Sequence, residues 1–145
     1  MSEKPHDIGK KRGKSDDAKE SIKENMIMAR EIINTEKAPA AIGPYSQAIE
    51  VNGMVFTSGV IPVDPQTGVI PATIEEQANQ AFSNLKNLIE ASGATIDKVI
   101  KTTVFIKEMN DFGKINEIYA TYFKEPFPAR SCVCLLYTSP SPRDI

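Results

Sequence analysis

Residues 73–93 carry the pattern that most restricts the fold. Thr73-Ile74-Glu75-Glu76 has the form of a capping box. In it the threonine oxygen takes an early helix N–H while Glu76 reaches back to the cap. Beyond the box, Ile74, Ala78, Ala81, Phe82, Leu85, Leu88 and Ile89 recur at helical spacing, and Gly93 can close the C-terminus. Such a helix buries one face only, so it demands a second layer to pack against. The helix itself is assigned no chemistry.

Strand signals lie on both sides of it. Residues 31–35 read as a short first strand, and residues 38–45 (APAAIGPY) as an ordered loop too rich in proline and glycine for anything regular. Residues 46–51 alternate, Asn52-Gly53 is a hairpin signal, and residues 54–58 return, ended by Gly59. Asp64-Pro65-Gln66-Thr67-Gly68 then has the proline and glycine of a turn. Residues 98–107 place Ile100, Thr102, Val104 and Ile106 on one face and Lys101, Thr103 and Phe105 on the other. Asn110 or Asp111 is positioned to cap a second helix through about Phe123, with Phe112, Ile115, Tyr119, Tyr122 and Phe123 as its stripe. Asn116 falls at the edge of that stripe. A partly buried amide there must be hydrogen-bonded, either holding a neighbouring backbone or lining a site. The element order predicts an α+β domain with two helices on one face of a sheet.

The 145 residues suggest one domain, and a net charge of −2 with no basic stripe argues against nucleic acid as the main partner. The longest apolar runs fall far short of a membrane span. Cys132 and Cys134, two apart on one strand, are badly placed for a disulfide. The only histidine, His6, lies in a polar tail, which leaves no zinc-like ligand set. A soluble cytoplasmic protein without a bound metal is the economical expectation.

Chemistry is expected at Phe127-Pro128-Ala129-Arg130-Ser131-Cys132-Val133. Pro128 pushes Phe127 toward extended geometry and sharpens entry into a strand. Arg130, Cys132 and Cys134 then share one face, with Ser131 and Val133 on the other. An arginine on an otherwise apolar strand face calls for an anionic partner, and its planar fork suits carboxylate or phosphate. The residue type alone favours the plainer outcome, an internal salt bridge or a strand-end arginine reaching solvent.

Four segments, read together, resemble the RidA proteins, the reactive-intermediate imine deaminases. They are APAAIGPYSQA (38–48), TSGVIPVDPQTG (57–68), KTTVFIKEMNDF (101–112) and FPARSCV (127–133), in the family's order within residues 28–133. The resemblance implies a chorismate-mutase-like α+β subunit with two helices on one face of a mixed sheet. It also implies a homotrimer with sites between subunits, and cofactor-free hydrolysis of 2-iminobutanoate and 2-iminopropanoate to 2-oxo acids and ammonia. By the same likeness Arg130 clamps the substrate carboxylate and the backbone N–H groups of Gly59 and Cys132 add donors, while Tyr45, Ser58 and Asn116 line the pocket. A nucleophilic Cys132 is the competing idea, but no histidine is available to activate it.

Both ends depart from the family. Residues 1–27 mix lysines and acids with little to bury, so disorder with a helix near 16–24 is expected, and Met28 would be a natural start. Residues 134–144 resemble the translation of a transposase adapter used in sequencing libraries. The family's last strand, with a glutamate thought to position water, is therefore expected to be missing, and neither Glu117 nor Glu125 is put in its place. An unpaired edge would follow, and with it poor folding or aggregation. Two further readings compete with imine hydrolysis. One is a non-catalytic member of the fold that binds small carboxylates or acts as a chaperone or regulator. The other is a ribonuclease, for which an acidic chain with its one histidine in the tail offers little chemistry.

Overall fold

The computed structural model describes residues 14–135. They fall in two compact units divided after Arg30. The first holds helix α1 (Lys14–Met28). This helix is longer than the segment 16–24 that its composition suggests, because alanine, lysine, glutamate and methionine all favour helix. Ser15 and residues 17–23 are exposed, so propensity and not burial accounts for it. Among the described residues no helix is long and apolar enough to cross a membrane.

Strand β1 (Arg30–Ile33) begins at the boundary. The second unit continues through β2 (Ala48–Val51), β3 (Met54–Thr57), α2 (Ile74–Ala91), β4 (Lys101–Ile106), α3 (Phe112–Tyr122) and β5 (Ala129–Cys134). β2 and β3 pair antiparallel across Asn52 (φ 51°) and Gly53 (φ 74°), two left-handed residues as a type I′ turn requires. The mixed α+β class is as predicted, but the strands form two sheets, β1-β2-β3 and the parallel pair β4-β5. Alternation along a strand is a local signal and its pairing partner is not, which is why the division was not legible.

The capping box of α2 is present in both directions, and Gly93 ends the helix at φ 82°. The N-terminal half of α2 joins Ala78 and Phe82 to Ile106, Ile115, Tyr119 and Phe123, with Val104, Cys132 and Cys134 packed against them. Its C-terminal half sets Leu88 against Ile33, Ala38 and Ala48 of the first sheet and its loop. Helices α2 and α3 therefore share one face of β4-β5, and α2 spans both sheets. Lys114 and Glu75 link the two helices at 2.9 Å. That hydrogen bond holds the Glu75 carboxyl below its usual range and Lys114 above its own, but the pair is exposed and contributes little.

Two predicted details change. Neither Asn110 nor Asp111 caps α3 through its side chain; a 3₁₀ turn, Met109–Asp111, runs straight into the helix with Asp111 already near-helical. Asn84, absent from the predicted stripe, is one of the most buried residues at 1% exposure. Its Nδ2 donates to the carbonyls of Ile61 (3.1 Å) and Val63 (2.8 Å), and its Oδ1 accepts from Gln80. Pro62 interrupts that loop and cannot donate to a ladder, so a helix side chain satisfies the carbonyls instead. Asn84→Asp removes both donors and is expected to lower unfolding stability by about 1–3 kcal/mol. Urea denaturation checks this, and an unchanged midpoint would contradict it.

Candidate functional site

β5 lies beside β4 in parallel register, with Thr102 opposite Arg130, Val104 opposite Cys132 and Ile106 opposite Cys134. The parity predicted for the strand holds: Cys132 and Cys134 are half-buried against the helices, and Arg130 sits on the same face nearer the surface. Ala129 N–H donates to Ile100 O and Leu135 N–H to Ile106 O. Alternation along a parallel ladder then turns the N–H groups of Arg130, Cys132 and Cys134 to the outer edge of β5. That edge has no strand partner among the described residues.

The Arg130 guanidinium is held by neutral groups. Its NH1 donates to Asn116 Oδ1 at 2.7 Å, and its central carbon lies 4.6 Å from the Tyr119 ring centroid and 5.5 Å from that of Phe112. All three partners come from α3, where positions 112, 116 and 119 fall on one stripe. Among the described residues the ion pairs are Lys86–Glu90, Lys98–Asp97 and Lys114–Glu75, so Arg130 has none. The internal salt bridge allowed for it is not formed among the described residues. Asn116 is exposed, not partly buried as its place on the stripe suggests, and it spends its oxygen on Arg130.

Tyr45, Ser58 and Gly59 stand at the other sheet. Tyr45 is half exposed, its ring folded back over Gly43, where an added Cβ would sit 3.4 Å from two ring carbons. Ser58 Oγ donates to Ser46 O at 2.6 Å and its N–H to Gln47 O at 2.9 Å, extending the β2-β3 ladder by one clasp. Gly59 is exposed, with nothing within 4 Å of an added Cβ. Gln47, 4% exposed, fixes the proline-rich loop before β2. Its amide oxygen accepts from Thr35 N–H, and its nitrogen donates to the carbonyls of Thr35, Ala38 and Pro39. This buried amide was missed because its partners are backbone groups with no sequence signature.

Among the described residues no hydrogen bond or ring contact joins Tyr45, Ser58 or Gly59 to Arg130, Asn116 or Cys132. Two open depressions, of about 600 and 560 Å³, are lined by other residues. Within one chain the six predicted residues thus fall in two separate groups, one on β5 and α3 and one between the loop before β2 and the end of β3. Cys132 and Cys134 are both free thiols.

Comparison with known proteins gives these two groups a context. The family model described as Endoribonuclease L-PSP matches residues 35–136. A RutC family protein of Haemophilus influenzae is 54% identical over 110 residues, covering 73% of this chain and 85% of the relative. An Escherichia coli K12 protein named 2-iminobutanoate/2-iminopropanoate deaminase is 50% identical over 104 residues, covering 70% and 81%. The crystal structure of E. coli TdcF with bound serine superposes with a TM-score of 0.69 at 49% identity, covering 72% of this chain and 85% of that one. With half its matched residues shared over more than four fifths of these relatives, the chain belongs to the RidA family, the one whose model carries the description Endoribonuclease L-PSP.

Proposed function

We propose that the protein is a 2-imino-acid deaminase, hydrolysing 2-iminobutanoate and 2-iminopropanoate to 2-oxo acids and ammonia without a cofactor. The observation that carries this reading is Arg130: a cationic fork, exposed, oriented by an amide and two rings, and without an ion-pair partner among the described residues. It suits the carboxylate of a small 2-imino acid, two N–H groups to two oxygens. The free N–H of Cys132 at the β5 edge and that of Gly59 are the further donors, with Tyr45 and Ser58 lining the other side. Once the carboxylate is clamped, little more is required than position. Water adds to C2 of the protonated imine, the C–N bond of the carbinolamine breaks, and ammonia leaves as the 2-oxo group forms. The name carried by the half-identical E. coli relative supports this chemistry over RNA cleavage.

The experiment generates imines in situ with a threonine dehydratase and follows ammonia release with and without the protein. Acceleration is expected. Binding of 2-oxobutanoate without acceleration would instead favour the non-catalytic carboxylate-binding reading.

The working form we propose is a cytoplasmic homotrimer with its sites between subunits. Supporting it are the separation of the predicted site residues into two groups within one chain and the sheet faces turned away from the cores. Ile32, Met54, Phe56, Phe105 and Val133 alternate with core residues, yet each is 40–69% exposed, an apolar surface of the kind that marks an interface. Sedimentation equilibrium should give a species near three times 15.9 kDa. A monomer, or heterogeneous aggregates from an uncovered strand edge, would count against it.

A further inference from the structure

Within β4, Thr102 is the one polar residue on the face it shares with Val104 and Ile106. Its hydroxyl lies 2.9 Å from the Tyr119 hydroxyl, and Thr102 is also the register partner of Arg130. Arg130, in turn, rests on the Tyr119 ring. A closed circuit results: the β4-β5 ladder, the Thr102–Tyr119 hydrogen bond, and the ring under the guanidinium. The remaining sides of Tyr119 are occupied. Phe123 stacks on it at 4.4 Å between centroids and Phe82 meets it edge-on at 5.7 Å, and Tyr119 as a whole is 5% exposed.

We propose that Tyr119 and Thr102 are positioning residues for the reaction. The Thr102 hydroxyl sets the Tyr119 ring, and the ring holds the Arg130 fork so that the N–H edge not used by Asn116 faces the substrate carboxylate. This rests on the deaminase reading above and adds residues that the sequence treats only as strand and core. The physical reason is entropy. An exposed arginine has many rotamers, and one laid on an aromatic face with one nitrogen already bonded loses fewer of them when a carboxylate arrives. Neither residue touches the substrate, so their effect belongs in the binding of the carboxylate and not in the chemical step.

The test uses Thr102→Val, which keeps the side-chain shape and removes the hydroxyl, with Thr102→Ser as the conservative rescue. In Thr102→Val, KM for the imino acid is expected to rise about fivefold, the scale set by one hydrogen bond, with kcat changed less than twofold. In Thr102→Ser, KM is expected to return to the wild-type value. The Arg130 Nε–H resonance supplies a readout independent of turnover: in the wild type it is expected upfield, shifted by the Tyr119 ring current. The shift should shrink in Thr102→Val and return in Thr102→Ser. Should the valine variant fail to fold, Tyr119→Phe breaks the same bond from the other side and keeps the ring. An unshifted resonance in an active wild type would overturn the platform and leave the deaminase reading standing. A KM and a resonance both unmoved by Thr102→Val would do the same. A shifted, Thr102-dependent resonance in a protein that hydrolyses no imine would instead sink the deaminase reading and leave the platform.

Discussion

Replacing Arg130 by alanine is expected to lower kcat/KM for 2-imino acids by about a hundredfold or more, because two charge-assisted hydrogen bonds worth about 1.5–3 kcal/mol each are lost. Arg130→Lys should recover little of that. Lysine keeps the charge but has no planar fork to lie on Tyr119, bond Asn116 and still offer two parallel N–H groups to a carboxylate. Because Arg130 is exposed and makes no ion pair among the described residues, both variants should melt close to the wild-type temperature. Steady-state kinetics beside a thermal melt checks the pair of statements. A lysine variant with near-normal kcat/KM would show that charge alone matters and that the fork does not.

Phe82→Ala is expected to destabilise the fold by about 3–5 kcal/mol, the usual range for removing a buried phenylalanine. Phe82 is 9% exposed and meets Tyr119, Tyr122 and Phe123 at centroid distances of 5.7, 5.5 and 6.2 Å. It is therefore the point at which α2 grips both α3 and the segment leaving it. The cavity would open directly beside the ring that carries Arg130, so carboxylate binding should weaken as well as stability. Urea unfolding checks the first effect and titration with 2-oxobutanoate the second. A loss well below 1 kcal/mol would mean that the aromatic cluster is not the core it looks to be.

What the sequence disclosed was local. The Thr73–Glu76 capping box, the α2 stripe, the Asn52-Gly53 turn and the parity that puts Arg130 with Cys132 are each set by residues a few positions apart. They agree with the structure. What it hid was distant. Asn84 serves carbonyls 21 and 23 residues away, Gln47 stitches a loop 8–12 residues upstream, and neither leaves a periodic trace. Arg130 follows the same division. Its type and face were legible, but the partner expected on charge grounds was an anion, and the structure supplies an amide and two rings. The signal that could have found them was the 112, 116, 119 spacing on α3, read there as packing alone. Tyr45, Ser58 and Gly59 came from the family resemblance and not from residue chemistry. Among the described residues of one chain no contact brings them to Arg130.

The most direct test of the account compares two substrates that differ only where Arg130 is proposed to act. The wild-type protein would be given the imine of a 2-oxo acid and the imine of the matching 2-oxo carboxamide, each with its own uncatalysed rate subtracted. Acceleration of the imino acid by at least about a hundredfold over the carboxamide is predicted, since the amide offers neither charge nor two acceptor oxygens to the fork. Equal acceleration of both would contradict the claim that carboxylate capture by Arg130 organises the site.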